Sequence, residues 1–128
     1  MVVDSSAVAS LFLRRPGHER LLAALAAAPR AAIGAPTLVE AAVELALATG
    51  RDVQPLLARF VQELELSVIP FGDAHVRAAG EAFRKYGRGR SKAELDYGDC
   101  LAYATARLAR QPLLADDPRF AGTDLDLA

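Results

Sequence analysis

The amino-acid sequence predicts an α/β domain built on a parallel sheet, and three observations carry that reading. Short apolar runs alternate along the chain with longer segments of helical period, the order that builds β-α-β units with right-handed crossovers. Hydrophobic residues make up 52% of the 128 residues, enough for one domain, residues 1–128, with a continuous core. Acidic residues recur at the ends of the predicted strands and the starts of the predicted helices, where a solvated surface charge has no special reason to be.

Each element follows from local chemistry. Met1 to Asp4 is an apolar run ending in an acid, as a buried parallel strand would be. Ser5 or Ser6 then caps a helix reaching about Leu13, which Pro16-Gly17 breaks. A second helix runs from His18 to Ala28 and ends at Pro29. Ala31 to Gly34 is a short strand, and Pro36-Thr37 opens a helix, capped by Thr37, that runs to Ala48 and stops at Gly50. Leu56, Leu57, Phe60, Val61 and Leu64 recur with an amphipathic helical period. Ser67 to Phe71 is the next strand, followed by an Asp73-capped helix to Tyr86. Residues 87–92 form a basic, glycine-containing loop, and Tyr97 to Arg110 is helical. Pro112 to Ala115 is a strand entering an acidic turn, and residues 124–128 are expected to add a last edge strand.

Composition removes several function classes. A lone cysteine, Cys100, excludes an internal disulfide and a multi-cysteine zinc site and fits a reducing compartment. With no basic residue ahead of an apolar core and no cleavage-site pattern, the N-terminus carries no expected signal peptide. No apolar run approaches the roughly 18 residues of a membrane helix, so the expectation is a cytoplasmic protein without membrane contact. The net charge of −1 excludes a generally basic nucleic-acid binder. Charge is nevertheless segregated: Arg84, Lys85, Arg88, Arg90 and Lys92 supply five of the 15 basic residues within one short stretch.

The acids carry the chemistry. Ligands of open α/β sheets bind beyond the carboxyl ends of the strands. Asp4 ends the first strand, Asp116 and Asp117 follow the last long one, Asp99 opens a helix, and Glu40 is expected in the first turn of another. Clustered carboxylates repel unless a cation neutralises them, and an all-oxygen donor set suits Mg²⁺ or Mn²⁺ rather than zinc. Taken singly, Asp4 and Asp99 read equally well as acids at helix N-termini, and Glu40 reads first as a first-turn acid of the same kind. Asp96 and Asp116 neighbour stronger candidates and read as solvated, and Glu44 as a surface residue. His18 and His75 have no metal-ligand spacing. Cys100 reads as a small buried residue.

Four segments together resemble a known family. Val2-Val3-Asp4-Ser5-Ser6-Ala7 is similar to the opening of PIN domains, and Pro36-Thr37-Leu38-Val39-Glu40 to their second acidic motif. Gly98-Asp99-Cys100-Leu101-Ala102-Tyr103-Ala104 resembles the third motif as it occurs in VapC toxins. Pro112 to Phe120 resembles the last, with Asp117 three residues before Phe120. The resemblance spans essentially the whole chain. It implies a five-stranded parallel sheet between helices, with Asp4, Glu40, Asp99 and Asp117 around Mg²⁺, for which Mn²⁺ can substitute. Asp4, Asp99 and Asp117 would be the metal ligands and Asp116 the reserve. It further implies an endoribonuclease toxin that hydrolyses RNA with a metal-activated water, pairs with a VapB-type antitoxin and forms a homodimer. Two departures stand out: Ala115 replaces a frequent Ser/Thr, and alignment on Phe120 puts Arg119 where some relatives carry their acid.

On this reading Ser6 orients Asp4 or a water, and the Arg84–Lys92 stretch contacts RNA phosphates. Tyr86 and Tyr97, which flank the basic loop, read either as half-buried packing residues or as rings that stack on unpaired bases. The alanine-rich helices, residues 21–28 and 40–48, are candidate surfaces for a second copy or an antitoxin helix. Two alternatives remain: a catalytically silent partner-binding module of the same fold, and a Mg²⁺-dependent protein that transfers phosphoryl groups on small molecules. The latter would need an Asp-x-Asp after the first strand, or paired acids and a late lysine, and Asp4-Ser5-Ser6 supplies neither.

Overall fold

A computed structural model describes all residues, Met1–Ala128. Its strands are β1 (Val2–Val3), β2 (Ala32–Gly34), β3 (Ser67–Ile69) and β4 (Leu113–Leu114). Between them lie α1 (Ser5–Leu13), α2 (His18–Ala27), α3 (Ala35–Thr49), α4 (Gln54–Glu63), α5 (Asp73–Tyr86) and α6 (Tyr97–Ala109), and a 3-10 helix follows at Pro118–Gly122. The sheet is wholly parallel in the order β3-β2-β1-β4. Four strands are formed. The expected fifth, at residues 124–128, is reduced to a bridge between Leu127 and Leu113, because β4 itself has only two residues to pair with.

The topology decides which face each helix covers. The chain steps outward from β1 to β2 to β3 and then returns to the far side of β1. Right-handed crossovers therefore put α1 to α4 on one face and α5 and α6 on the other. Two core clusters record this. Val3, Ile33 and Leu114 pack with Leu21, Ala41, Leu45 and Leu57, whereas Val2 and Leu113 pack with Ala82, Tyr86, Ala102 and Phe120. Successive residues of β1 and β4 enter opposite clusters, as the period of two along a strand requires.

α6 is the central helix, buried without interruption from Gly98 to Ala106. Its small residues permit close approach to the sheet and to α3. A Cβ on Gly34 would come within 2.8 Å of the Thr105 hydroxyl, so the start of α3 lies against α6 only because residue 34 has no side chain.

The structure decides three helix starts. Asp4, also a candidate cap of α1 in the sequence, takes that place instead of Ser5 or Ser6 and accepts from the Ser6 amide. α3 begins two residues earlier than Thr37, with Gly34 as its cap position and Pro36 inside its first turn. A proline there gives up no hydrogen bond, so Thr37 is buried inside the helix instead. Glu40 is therefore past the first turn of α3. Gly72, not Asp73, precedes α5, and its amide donates to His75 Nδ1 at 3.3 Å.

Phe120 is fully buried and pins the 3-10 helix to the α5–α6 face. Phe120→Ala is expected to cost about 3–5 kcal/mol, measured by urea denaturation of the metal-free protein. A loss below about 1 kcal/mol would mean that the 3-10 helix is not held by this ring.

Candidate active site

Strand order reverses at β1, where β2 lies on one side and β4 on the other. The crevice beyond the carboxyl ends of β1 and β4 is where such sheets bind ligands, and the acids of both strand ends face it. The Asp4 amide still pairs with the Leu114 carbonyl at 2.9 Å, so the two ends are held in register up to the site.

Asp4 is 2% exposed. Its Oδ2 accepts from the Ser6 amide at 3.0 Å and from the Ser6 hydroxyl, while its Oδ1 is buried with no partner. The same Ser6 oxygen accepts from the Asp116 amide at 2.9 Å, so Ser6 ties the end of β1 to the end of β4. Burial pushes the Asp4 carboxyl above its usual range despite the Ser6 hydrogen bonds, and the charge of Asp117 adds to the rise.

Glu40 reaches the cluster from α3 over a gap left by Gly98. A Cβ at residue 98 would overlap the Glu40 carboxylate. Glu40 Oε2 is likewise buried and unpartnered. Burial first and the neighbouring Asp4 second raise its pKa. Beyond the first turn it receives no help from the helix start.

Asp96 and Asp99 form a reciprocal capping box at the start of α6. The Asp99 amide donates to Asp96 Oδ1 at 3.1 Å and the Asp96 amide to Asp99 Oδ2 at 2.8 Å. Asp99 is 7% exposed. Burial, followed by the charge of Asp96 and then that of Asp117, pushes its carboxyl up to about 7, against the opposing effect of Arg119.

Arg119 is the feature the sequence did not make explicit. Its guanidinium meets Asp117 Oδ2 at 2.6 Å, Asp99 Oδ2 at 2.8 Å and Asp96 Oδ2 at 3.2 Å. Asp117 also caps the 3-10 helix through the Arg119 amide at 2.8 Å. Against burial, these contacts hold the Asp117 carboxyl below its ordinary value, and the Asp99 amide followed by Arg119 does the same for Asp96. No group of three or more acidic, histidine or cysteine side chains is arranged to hold an ion in this conformation.

The other residues singled out in the sequence divide. Asp116 faces away from Arg119: its Oδ2 accepts from Ser10, and Arg20 lies 4.0 Å from its Oδ1. Lys85 lies 3.7 Å from Asp124 and over the Tyr86 ring, and Arg84 lies 4.0 Å from Glu81. Arg88, Arg90 and Lys92 are exposed. Their loop is closed by hydrogen bonds between Tyr86 and Leu95 and between Arg88 and Leu95, and it leads directly into Asp96. Tyr86 is buried against Tyr103, ring centroids 5.6 Å apart, which removes it as a stacking platform. Tyr97 is 81% exposed. Cys100 is buried as expected, and burial raises its thiol to about 11. His18 pairs with Glu19 and the Arg15 carbonyl, outside the acidic crevice.

The donor set suits a hard divalent cation: oxygen only, with two buried carboxylate oxygens lacking any partner. A signal for Arg119 was present in the departure at the last motif. No signal of periodicity or spacing marked Gly98, whose role is to be absent from the space Glu40 fills.

Comparison with known proteins follows the same lines. The PIN domain family model matches residues 1–125. Ribonuclease VapC36 of Mycobacterium tuberculosis is 42% identical over 127 residues, covering 98% of this chain and 91% of its own length. Ribonuclease VapC of Mycolicibacterium smegmatis is 31% identical over 125 residues, covering 98% of this chain and 97% of its own. Among solved structures, the sarcin-ricin loop cleaving toxin VapC20 of Mycobacterium tuberculosis superposes with a TM-score of 0.81 at 18% identity, over 99% of this chain and 97% of that one. VapBC2 from Rickettsia felis, bound to a promoter DNA fragment, gives 0.75 at 18% identity, over 99% of this chain and 96% of that one. At those identities the two structures speak to the fold.

The raised Asp99 carboxyl gives a pH test. Between 3.8 and about 7 the folded chain holds a proton that the unfolded chain has released, so stability falls as pH rises through that window. Asp4 and Glu40 act in the same direction. Asp96 and Asp117 act oppositely, but their contribution is lost only as pH falls below the ordinary carboxylate range. In EDTA the protein is expected to melt at a lower temperature at about pH 8 than at about pH 5.5. Asp99→Asn should flatten that slope, and an unchanged slope would remove Asp99 as its cause.

Proposed function

The chain belongs to the PIN-domain family and, within it, to the VapC ribonucleases, and from that premise we propose that it is a Mg²⁺-dependent endoribonuclease acting as the toxin of a toxin–antitoxin pair. The observation that carries the reading is the pair of unpartnered buried oxygens, Asp4 Oδ1 and Glu40 Oε2, beside Asp99 in the switch-point crevice. Asp4 would hold the ion, with Asp99 and Asp117 joining it where Arg119 releases them; Mn²⁺ is expected to substitute. A divalent ion there would polarise a phosphoryl oxygen and lower the pKa of a water it binds.

The chain's own residues do the rest. Ser6 holds Asp4 in one orientation through Oδ2, leaving Oδ1 facing the crevice. Glu40, buried over Gly98, is the group to orient a water and take up its proton at Oε2. Arg88, Arg90 and Lys92 draw the RNA backbone toward an otherwise acidic crevice. Tyr97, exposed beside Gly98, offers its ring to an unpaired base.

Val39, Val43 and Leu47 form an exposed apolar stripe along α3, spaced one helical turn apart. A second copy of the chain or a VapB-type antitoxin helix would cover it. In α2, the other helix expected to do the same, Leu21 and Leu25 are buried in the core, leaving Leu22 and alanines at the surface. No helix is long and apolar enough to cross a membrane, in keeping with a cytoplasmic site of action.

A second reading has one observation in its favour. Arg119 neutralises three of the acids without any metal, as a catalytically silent partner-binding module would allow. Total cellular RNA separates the two. With Mg²⁺ or Mn²⁺, antitoxin-free protein is expected to cleave RNA and leave 5′-phosphate ends. EDTA should abolish cleavage, and Asp99→Asn should reduce it by at least roughly a hundredfold. Intact RNA with wild-type protein, together with no binding of either ion, would favour the silent module.

A further inference from the structure

Four acids converge on one crevice, yet their oxygens are unequally occupied. Asp117 is saturated: Arg119 Nε donates to Oδ1 and Oδ2 at 3.1 and 3.0 Å, a terminal nitrogen to Oδ2 at 2.6 Å, and the Arg119 amide to Oδ1 at 2.8 Å. Three N–H donors thus make four contacts, which take up the roughly four lone-pair sites of a carboxylate. Asp99 gives Oδ2 to the Asp96 amide and to Arg119, and Oδ1 to Arg119 at 3.3 Å. Asp4 Oδ1 and Glu40 Oε2, by contrast, receive nothing. One half of the cluster is neutralised by a cation built into the chain, and the other half is left open.

We propose that Arg119 is an internal competitor for the divalent ion, occupying the carboxylates of Asp99 and Asp117 so that an ion entering between Asp4 and Glu40 gains them only by displacing the guanidinium. This rests on the proposed metal-dependent nuclease site. The side chain is placed to act this way. It is about one-third exposed, at 31%, on a short 3-10 helix at the rim, so it can swing out without unpacking Phe120. Its outward neighbours are the Glu94 carbonyl at 3.5 Å and Asp96, which lie at the end of the basic loop.

The competition has two consequences that do not depend on turnover. The metal-free wild type is held together by Arg119, so it should be folded and well ordered in EDTA. Ion affinity should be weaker than the donor set alone would give, because each ion must break charge-assisted hydrogen bonds that are among the strong ones. Removing the guanidinium should reverse both.

Mn²⁺ titration calorimetry and melting curves on wild type, Arg119→Gln and Arg119→Lys provide the test. Arg119→Gln is expected to melt lower than wild type in EDTA, to bind Mn²⁺ at least roughly tenfold more tightly, and to gain more in melting temperature when Mn²⁺ is added. Arg119→Lys keeps the charge but cannot saturate both carboxylates, so its affinity should fall between the two, and it remains informative if the glutamine variant does not fold. Equal Mn²⁺ affinity in all folded proteins, with binding still lost in Asp4→Asn, would overturn the competitor role and leave the metal site standing. No Mn²⁺ bound by any of them would overturn both.

Discussion

Repulsion among carboxylates that have been taken out of water is the constraint around which this protein is arranged. Asp4, Glu40, Asp99 and Asp117 come from four separate elements, and each would prefer to be solvated or apart. The fold offsets part of that cost with backbone amides. Asp4 caps α1, Asp96 and Asp99 box the start of α6, and Asp117 caps the 3-10 helix. Each receives donors at the positive end of a helix. Glu40 alone lies beyond the first turn of its helix, and it is one of the two acids left with a buried, unpartnered oxygen.

Holding acids this way requires that the helix starts themselves do not move. α6 supplies the rigidity, since it is buried from Gly98 through Ala106 between the sheet and its neighbours. Small residues at the contacts make that possible: Gly34 admits Thr105, and Gly98 admits the Glu40 carboxylate. Larger side chains at either position would separate α3 from α6 and move Glu40 away from Asp4. Packing of the core and composition of the site are thus one problem, solved by the same two glycines.

Most of the architecture was legible because it follows from local rules. Short apolar runs marked the four strands, and caps, breakers and helical period marked the helices within a few residues. The acids at strand ends were legible for the same reason, since the topology brings the ends of β1 and β4 together. What was hidden depends on contacts between distant residues. Tyr86 beside a basic loop reads either as a stacking ring or as a packing residue, and only its contact with Tyr103, on α6, decides for packing. Thr37 has the chemistry of a cap, yet Pro36 lets the helix begin before it. A fifth strand needs a partner of some length, and β4 offers two residues. In sequence only the spacing to Phe120 sets Asp117 ahead of Asp116, and in the structure the contacts of Ser10 and Arg119 give the two different partners.

Arg119 brings these threads together, because it answers the electrostatic constraint from within the chain. A site made only of acids would be unstable until an ion arrived, and the protein would depend on metal to fold. An arginine across Asp96, Asp99 and Asp117 neutralises that half of the cluster beforehand, in a geometry whose planar fork suits carboxylates. Asp4 and Glu40 are left without such help, and burial raises both their carboxyls. The unrelieved charge is therefore concentrated on the side that faces the crevice. That asymmetry separates stability from ion binding: the 3-10 helix and the start of α6 are secured by a resident cation, while the driving force for a mobile one resides in two oxygens of Asp4 and Glu40.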